Sequence, residues 1–139
     1  MSVGRICSRE VDVAAVDESA LEAAQRMATR DVGTLIVLNP AKAPVGIITD
    51  RDLVVRVLAV RKDPHVTRVG EVMTRDPKAV QEDCPIETAL GLMRAGPFRR
   101  LPVVDHHGQL VGILSLDDVL SLLAEEFAHI GRVLERRRS

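Results

Sequence analysis

The chain contains an internal duplication. Sliding the sequence along itself by 66 residues aligns its two halves without a gap and superimposes twelve identical residues. Val3-Gly4 meets Val69-Gly70, and Val45-Gly46-Ile47 meets Val111-Gly112-Ile113. Most other positions on the apolar faces are similar, so the match preserves periodicity as well as identity. The chain therefore folds as two copies of one unit.

The hydrophobic periodicity of each copy predicts the element order β-α-β-β-α. In the first copy we expect a helix whose Ser19 and Glu22 form a capping box. The elements predicted around it are an extended piece at Val13–Val16, strands at Thr34–Leu38 and Val45–Ile48, and a closing helix at Arg51–Val60. The matching elements of the second copy are Lys78–Gln81, a helix entered at Pro85, strands at Leu101–Val104 and Leu110–Leu114, and a helix at Asp117–Phe127.

One such unit is marginally stable alone, because about 60 residues bury too little surface. Its three-stranded sheet has one face covered by helices, and the other repeat is the obvious partner for the free face. We therefore expect an α+β fold of two packed repeats. The predicted organisation is repeat 1 at 1–60, a charged linker at 61–68, repeat 2 at 69–127, and a helical extension with a basic end at 128–139.

Composition excludes several functional classes. Hydrophobic residues make up 46% of the chain and aromatic residues only 1%, with no Trp or Tyr. Base stacking on aromatic side chains is therefore absent, and the net charge of −1 disfavours binding by phosphate neutralisation. No apolar run is long enough to span a bilayer, and the first residues do not form a signal peptide. With only two cysteines, we expect a soluble cytoplasmic protein.

Motifs for catalysis or metal binding are missing. The sequence has no G-x-S-x-G, P-loop, H-E-x-x-H or C-x-x-C pattern. His106-His107 is interpreted as a polar turn, since no Cys or carboxylate cluster accompanies it. We therefore predict neither catalytic residues nor a metal. A small hydrolase or transferase remains as a rival that turnover of ATP or S-adenosylmethionine would support.

A hydroxyl residue followed three places later by Asp occurs in both copies, as Thr49-x-x-Asp52 and Ser115-x-x-Asp118. One interpretation is a helix cap, worth about 1 kcal/mol. The other is a ligand site, because a helix N-terminus favours anions and an ionised Asp offers only acceptors. The motif alone leaves both open.

The order of motifs resembles a tandem pair of CBS domains, the modules named after cystathionine β-synthase. The resemblance covers nearly the whole chain. It rests on Arg99-Arg100-Leu101-Pro102-Val103-Val104-Asp105, on the two Gly-aliphatic-aliphatic-Thr/Ser-x-x-Asp stretches and on the preceding Ala-x-x-x-Met helices. It implies sheets packed about a pseudo-two-fold axis, with two clefts that receive AMP, ADP, ATP, S-adenosylmethionine or NAD. It also implies that Thr49 and Ser115 face phosphate, while Asp52 and Asp118 take ribose hydroxyls.

With this resemblance the ligand interpretation is favoured. The predicted ligand-binding residues are Thr34, Gly46, Ile47, Thr49, Arg51, Asp52, Val80, Arg99, Arg100, Leu101, Pro102, Ile113, Ser115 and Asp118. Gly46 permits close approach, and Ile47 and Ile113 offer apolar contact to a purine. Because Arg99 and Arg100 align with Gly33 and Thr34, we expect the second site to bind phosphate more tightly unless Arg51 or Arg5 compensates.

The predicted function is a stand-alone, non-catalytic sensor that binds an adenosyl ligand reversibly. We expect a homodimer formed through the helices Arg51–Val60 and Asp117–Phe127, acting on itself or on a separate regulated protein. The alternative is a structural or protein-interaction module with empty clefts, which would explain the caps and the missing arginine of the first repeat.

Overall fold

The computed structural model describes residues 1–96 and 99–138. Ser139, the last residue of the predicted extension, lies outside them. The elements are a 3-10 turn at Val3–Arg5, β1 Val13–Ala15, α1 Ala20–Arg30, β2 Thr34–Leu38, β3 Pro44–Thr49, α2 Asp50–Leu53, a π-helical turn Val54–Leu58, α3 Val69–Val72, β4 Thr74–Arg75, β5 Val80–Gln81, α4 Ile86–Ala95, β6 Arg100–Val104, β7 Leu110–Ser115 and α5 Leu116–Arg138.

The strands form two sheets, one for each repeat. The first has the order β1-β2-β3-β4 and the second has the order β5-β6-β7. In each sheet the first strand is parallel to the second, and the next pair is antiparallel. The predicted α+β fold of two similar repeats is therefore confirmed, although the first sheet gains a strand that the sequence did not predict.

Each central strand buries both of its faces. In β2, Leu35 and Val37 belong to the core of the first repeat. Ile36, which points to the opposite face, is also buried, with 1% of its surface exposed. In β6, Leu101 and Val103 lie in the second core, and Pro102 between them is buried as well. This double burial is what two sheets packed face to face require.

The two repeats exchange their first residues. Val3 is fully buried in the core of the second repeat, and Val69 is fully buried in the core of the first. The Val3 and Gly4 amides donate to the carbonyl oxygens of Cys84 and Glu82, each at 2.8 Å. Val69 and Gly70 donate in the same way to Glu18 and Val16, at 2.8 and 2.9 Å.

The exchange continues into the sheets. Thr74 and Arg75 form β4, which pairs with β3 of the first repeat. The corresponding Ser8 exchanges two backbone hydrogen bonds with Ile113 in β7, both at 2.9 Å. Each packed unit therefore contains a short segment that the sequence assigns to the other repeat.

The exchanged segments explain two of the repeated glycines. A Cβ built on Gly112 would lie 2.7 Å from the Ser8 carbonyl oxygen and 2.8 Å from the Cys7 sulfur. A Cβ on Gly46 would overlap the Met73 side chain and lie 3.0 Å from the Thr74 carbonyl oxygen. The close approach expected at Gly46 is thus made by the neighbouring protein segment.

The α1 helix begins with half of the predicted capping box. The Ser19 hydroxyl accepts a hydrogen bond from the Glu22 amide at 3.1 Å. The return bond from the Ser19 amide to the Glu22 carboxylate is not formed in the described chain. Ser19 instead bridges to Arg68, and the next amide, that of Ala20, donates to the Thr67 carbonyl oxygen at 2.8 Å.

The two closing helices differ from each other. The helix predicted at Arg51–Val60 begins one residue earlier, and after Leu53 it becomes the π-helical turn that ends at Leu58. The helix predicted at Asp117–Phe127 is the first part of α5, which continues without a break to Arg138. The pseudo-symmetry of the repeats therefore ends at their closing helices.

We expect Gly112→Ala to destabilise the fold by about 1–3 kcal/mol, because the added methyl group has to displace the Ser8 carbonyl. The matched control is Gly91→Ala in α4, where a Cβ meets nothing within 4 Å. That change should stabilise the helix by about 0.5–1 kcal/mol. Urea unfolding of both variants checks this, and equal stability of the two would contradict the packing role.

Candidate functional site

The Thr/Ser-x-x-Asp motifs form the same capping box in both repeats. The Asp52 amide donates to the Thr49 hydroxyl at 3.1 Å, and the Thr49 amide donates to Asp52 Oδ2 at 3.0 Å. Ser115 and Asp118 repeat this geometry with the same two distances. The capping interpretation is therefore confirmed at both positions.

Capping engages only one oxygen of each carboxylate. Oδ2 of Asp118 accepts from the backbone of its own box, and no residue of the described chain donates to Oδ1. A substitution by Ala would remove the cap together with any ligand contact, at a cost of about 1 kcal/mol to the helix entrance. An Asn at either position keeps an acceptor oxygen for the cap, so it separates a ligand contact from the helix entrance.

The register of the paired strands places one residue of the neighbouring strand opposite the first residue of each capping box. Thr34 in β2 lies opposite Thr49, and Arg100 in β6 lies opposite Ser115. The preceding residue, Arg99, is held by its backbone, since its carbonyl oxygen accepts from the Leu116 amide at 2.9 Å. Both arginine side chains are exposed and make no ion pair with the described residues. The second repeat thus holds two permanent cations near its helix entrance.

The exchanged segments complete the surroundings of each motif strand. Cys7 and Ser8 lie against Gly112 and Ile113, and Met73 and Thr74 lie against Gly46 and Ile47. Burial raises the pKa of the Cys7 thiol; the positive charge of Arg9 opposes this rise, and the negative charge of Asp118 adds to it. Cys7 therefore lies within electrostatic range of the second motif carboxylate.

The first motif carboxylate has a neighbour that the second lacks. Oδ1 of Asp52 lies 3.7 Å from Nε of Arg56, one helical turn further along. Arg56 also donates to the Val72 carbonyl oxygen at 2.9 Å. The residue that aligns with Arg56 in the second repeat is Leu122, which packs against the core. Among the described residues, Asp118 therefore forms no ion pair like that of Asp52 with Arg56.

Three of the predicted ligand residues have buried side chains. Val80 and Leu101 belong to the second core, with 6% and 0% of their surface exposed. Pro102 is buried on the opposite face of its strand. Because Val80 and Leu101 point into the core, a contact from either of them to a ligand would come from its backbone. Ile47 and Ile113 are half-buried, whereas Arg51 is exposed in the first turn of α2.

Sequence reasoning gave no role to the arginines that follow the exchanged segments. Arg9 donates to the Gly4 carbonyl oxygen at 2.8 Å, and Arg75 donates to that of Gly70 at 3.3 Å. Each arginine thus holds its own exchanged turn. The signal was present, because Arg9 and Arg75 are identical across the repeat.

A cavity of about 1080 Å³ lies elsewhere, along β1, α1 and the turn after β2. Its two arginines are already neutralised. Arg26 forms two hydrogen bonds with the Glu18 carboxylate, at 2.6 and 2.9 Å. Arg30 bonds to Asp12 at 2.8 Å. Because none of the capping-box residues lines this cavity, it is not the candidate site.

Residues 1–96 and 99–138 contain neither a metal-ligand cluster nor a membrane-spanning helix. Within them, no three His, Cys, Asp or Glu side chains converge to hold a metal ion. The same part of the chain contains no helix that is both long and apolar enough to cross a bilayer. His106 and His107 lie in the β6–β7 turn, where Oδ1 of Asp105 accepts from the His107 amide at 2.9 Å.

We expect Asp118→Asn to lower the pKa of the Cys7 thiol, because it removes a negative charge that disfavours the thiolate. The pH profile of alkylation, measured in a Cys84→Ser background, reports this change. The matched control is Asp117→Asn, which removes an exposed charge next to it. An unchanged profile for Asp118→Asn, or an equal change for the control, would contradict the proximity of Cys7 and Asp118.

Comparison with known proteins identifies the architecture. The profile of the CBS domain family matches residues 3–59 and again residues 69–125. "Uncharacterized protein MK0525" of Methanopyrus kandleri is 35% identical over 122 residues, which is 88% of this chain and 62% of that protein. The chain thus spans less than two thirds of this relative.

Solved structures share the paired arrangement. The CBS-pair protein CBSX2 from Arabidopsis thaliana superimposes with a TM-score of 0.79 at 27% identity, covering 91% of this chain and 96% of that one. The CBS domain protein PAE2072 from Pyrobaculum aerophilum, solved in complex with AMP, gives a TM-score of 0.72 at 26% identity, covering 85% and 89%. With both repeats matched and the two-sheet arrangement shared, the chain belongs to the CBS domain family, as a tandem pair of the kind that serves as a regulatory module.

Proposed function

We propose that this CBS pair is a non-catalytic sensor that binds an adenosyl ligand at its helix entrances. The observation that carries the proposal is that a half-buried carboxylate, Asp118, shares its helix entrance with the exposed cations Arg99 and Arg100 at the start of the neighbouring strand. AMP in the similar protein PAE2072 supports this ligand class. Binding is reversible, because the motifs supply caps and charges but no catalytic arrangement.

The sugar and the phosphate of the ligand are proposed to contact different side chains. Oδ1 of Asp118 is an acceptor without a donor from the described chain, so it suits a ribose hydroxyl and repels a phosphate. Arg100 lies opposite Ser115 in the strand register, and its planar guanidinium pairs with phosphate in a bidentate manner. The sugar therefore goes to the carboxylate and the anionic group to the arginine.

The second site is the stronger of the two. In the first repeat, Thr34 lies where the second repeat has Arg100. A phosphate bound at the first site would therefore lack the arginine that it contacts at the second. Asp52 is also partly compensated by Arg56 at 3.7 Å, which weakens it as an acceptor for hydroxyls. Arg51 is exposed next to Asp52 and is the cation that can compensate on that side.

A protein-interaction module with empty clefts is the second candidate. It is favoured by the fact that the motif residues already have structural roles. Thr49, Asp52, Ser115 and Asp118 complete two capping boxes, and the glycines accommodate the exchanged segments. This candidate predicts that adenosyl compounds leave the stability of the protein unchanged.

The sensor is proposed to act as a homodimer joined through the outer helices. Val54, Val55 and Leu58 of the first closing helix are exposed, and so are Leu120 and Leu123 of α5. Large aliphatic side chains that share exposed helix faces mark interaction surfaces. A change in this dimer, or in a separate regulated protein, would transmit the ligand signal, provided that the ligand distinguishes two states.

Asp118→Asn should abolish stabilisation by adenosyl ligands while the helix cap is kept. The side-chain oxygen of Asn still accepts from the Ser115 amide. The negative charge of the carboxylate is lost, however, and an NH2 donor replaces its other oxygen. We expect the wild-type protein to gain about 2.7 kcal/mol at a ligand concentration 100 times the dissociation constant. Thermal unfolding with AMP, ADP, ATP, S-adenosylmethionine and NAD measures this gain.

Asp117→Asn is the matched control, since Asp117 lies in the same helical turn but is exposed. It should keep the full ligand response. Asp52→Asn should reduce the response less than Asp118→Asn does. The sensor proposal fails if no compound stabilises the wild-type protein, or if Asp118→Asn responds as the wild type does.

Arg100→Gln should lower the affinity for AMP about 10- to 100-fold, because a charge-assisted hydrogen bond to phosphate is worth about 1.5–3 kcal/mol. The affinity for adenosine, which has no phosphate, should be unchanged. Isothermal titration with both compounds separates the phosphate contact from the nucleoside contact. Arg61→Gln, an exposed arginine outside both motifs, serves as the control. Equal loss of AMP and adenosine affinity would show that Arg100 acts on the fold.

A further inference from the structure

The last helix leaves the body of the protein. Val119 and Leu122 of α5 pack against the second core. From Leu123 to Arg136, every residue except Gly131 is exposed. The CBS domain profile ends at residue 125, whereas α5 continues to Arg138. Residues 126–136 thus continue α5 beyond the matched domain, with every side-chain-bearing residue exposed.

This helix carries a narrow apolar stripe. Its members are large, exposed side chains that alternate at spacings of three and four residues: Leu120, Leu123, Phe127, Ile130 and Leu134. Their exposed fractions are 54%, 46%, 70%, 54% and 57%. This spacing is that of a coiled-coil seam, which pairs with one other helix. The stripe is continuous from Leu120, near the domain surface, to Leu134, about one turn before the last described residue of α5.

Such a helix needs a partner to be stable. Isolated helices shorter than about 12–15 residues are marginal in water, and residues 126–138 fall in this range. Gly131 lowers the stability further, since a glycine inside a helix costs about 1 kcal/mol relative to alanine. Covering the seam of large side chains by another molecule would therefore stabilise this half of the helix.

The charges along α5 select the partner and its direction. Residues 116–127 contain four acidic residues and no Lys or Arg, whereas residues 128–138 contain four arginines and one Glu. Two copies of this helix attract each other when they run antiparallel, because the acidic half of each then lies beside the basic half of the other. In a parallel pair, like charges would meet along the whole length.

We propose that α5 pairs with α5 of a second copy of this chain, as an antiparallel coiled coil centred between Phe127 and Ile130. In this register Phe127 packs on Ile130 of the second copy, and Leu123 packs on Leu134 of the second copy. The small residues Ala124 and Gly131 flank the seam and allow the helices to approach closely. An anionic membrane fits less well, because the acidic half of the helix is repelled by it.

This inference rests on the proposed homodimer and extends its α5 contact from Leu120 and Leu123 to residues beyond the matched domain, and it is independent of the adenosyl ligand. The test is the solution mass of the full chain, measured by sedimentation equilibrium over a range of concentrations. We expect a dimer of the 15.2 kDa chain. Ile130→Asn combined with Leu134→Asn should raise the dissociation constant more than about 100-fold, since each change removes buried apolar surface in both copies.

The matched control places two asparagines on the other side of the same helix, as Ala128→Asn with His129→Asn. Because it lowers helix propensity without touching the seam, it should remain dimeric. If the seam variant stays as dimeric as this control, the coiled coil is wrong while a dimer through the outer helices stands. If the wild-type chain is a monomer, both are wrong, and ligand stabilisation still tests the sensor separately.

Orientation is tested by cross-linking in a Cys7→Ser, Cys84→Ser background. Leu123→Cys and Leu134→Cys proteins should form an intermolecular disulfide when mixed, and neither should do so alone. A disulfide in either single protein would indicate a parallel pair and overturn the proposed direction. Co-sedimentation of a monomeric wild-type chain with anionic phospholipid vesicles would overturn the second copy in favour of a membrane surface.

Discussion

The reciprocal exchange of two short segments holds this molecule together. Val3 completes the second core and Val69 completes the first, so neither repeat has a whole core without residues from the other. The exchanged amides bond to backbone carbonyls at 2.8–2.9 Å, and the following residues pair with the motif strands β7 and β3. Packing of the two sheets and pairing of the two segments therefore depend on the same residues.

The same exchange determines what surrounds each helix entrance. Segments 7–8 and 73–74 pack against the strands that lead into the capping boxes. Each segment approaches its strand closely at a glycine, Gly112 for the first and Gly46 for the second. A ligand at such an entrance would contact a strand of one repeat and a segment that belongs in sequence to the other. This arrangement gives a physical route by which ligand binding can act on the relation between the repeats.

Duplication has been followed by divergence of the two sites. The boxes themselves have kept the same hydrogen bonds, with distances that agree between the copies. Their neighbours have changed: Thr34 corresponds to Arg100, and Arg56 corresponds to Leu122. The closing helices have also diverged, since one ends in a π-helical turn and the other continues far beyond the domain. A fixed capping geometry therefore supports two different charge environments.

The sequence by itself determined the duplication, the order of the elements and the helix entrances. The strand predicted at Thr34–Leu38 has the observed bounds, because a short β-branched apolar run and the turn residues after it are local signals. The boxes at Thr49 and Ser115 were likewise visible, since both partners lie within one helical turn. Such features depend on residues that are close in the chain.

Only the tertiary structure decided which repeat each segment completes. Apolar periodicity shows which face of an element is buried. Because the two repeats have the same periodicity, it does not show which of the two cores receives Val3. The packing role of Gly112 and the core positions of Val80 and Leu101 follow from that assignment. The absent return bond at Ser19 has the same origin, because residues near 67–68, remote in sequence, occupy that helix entrance.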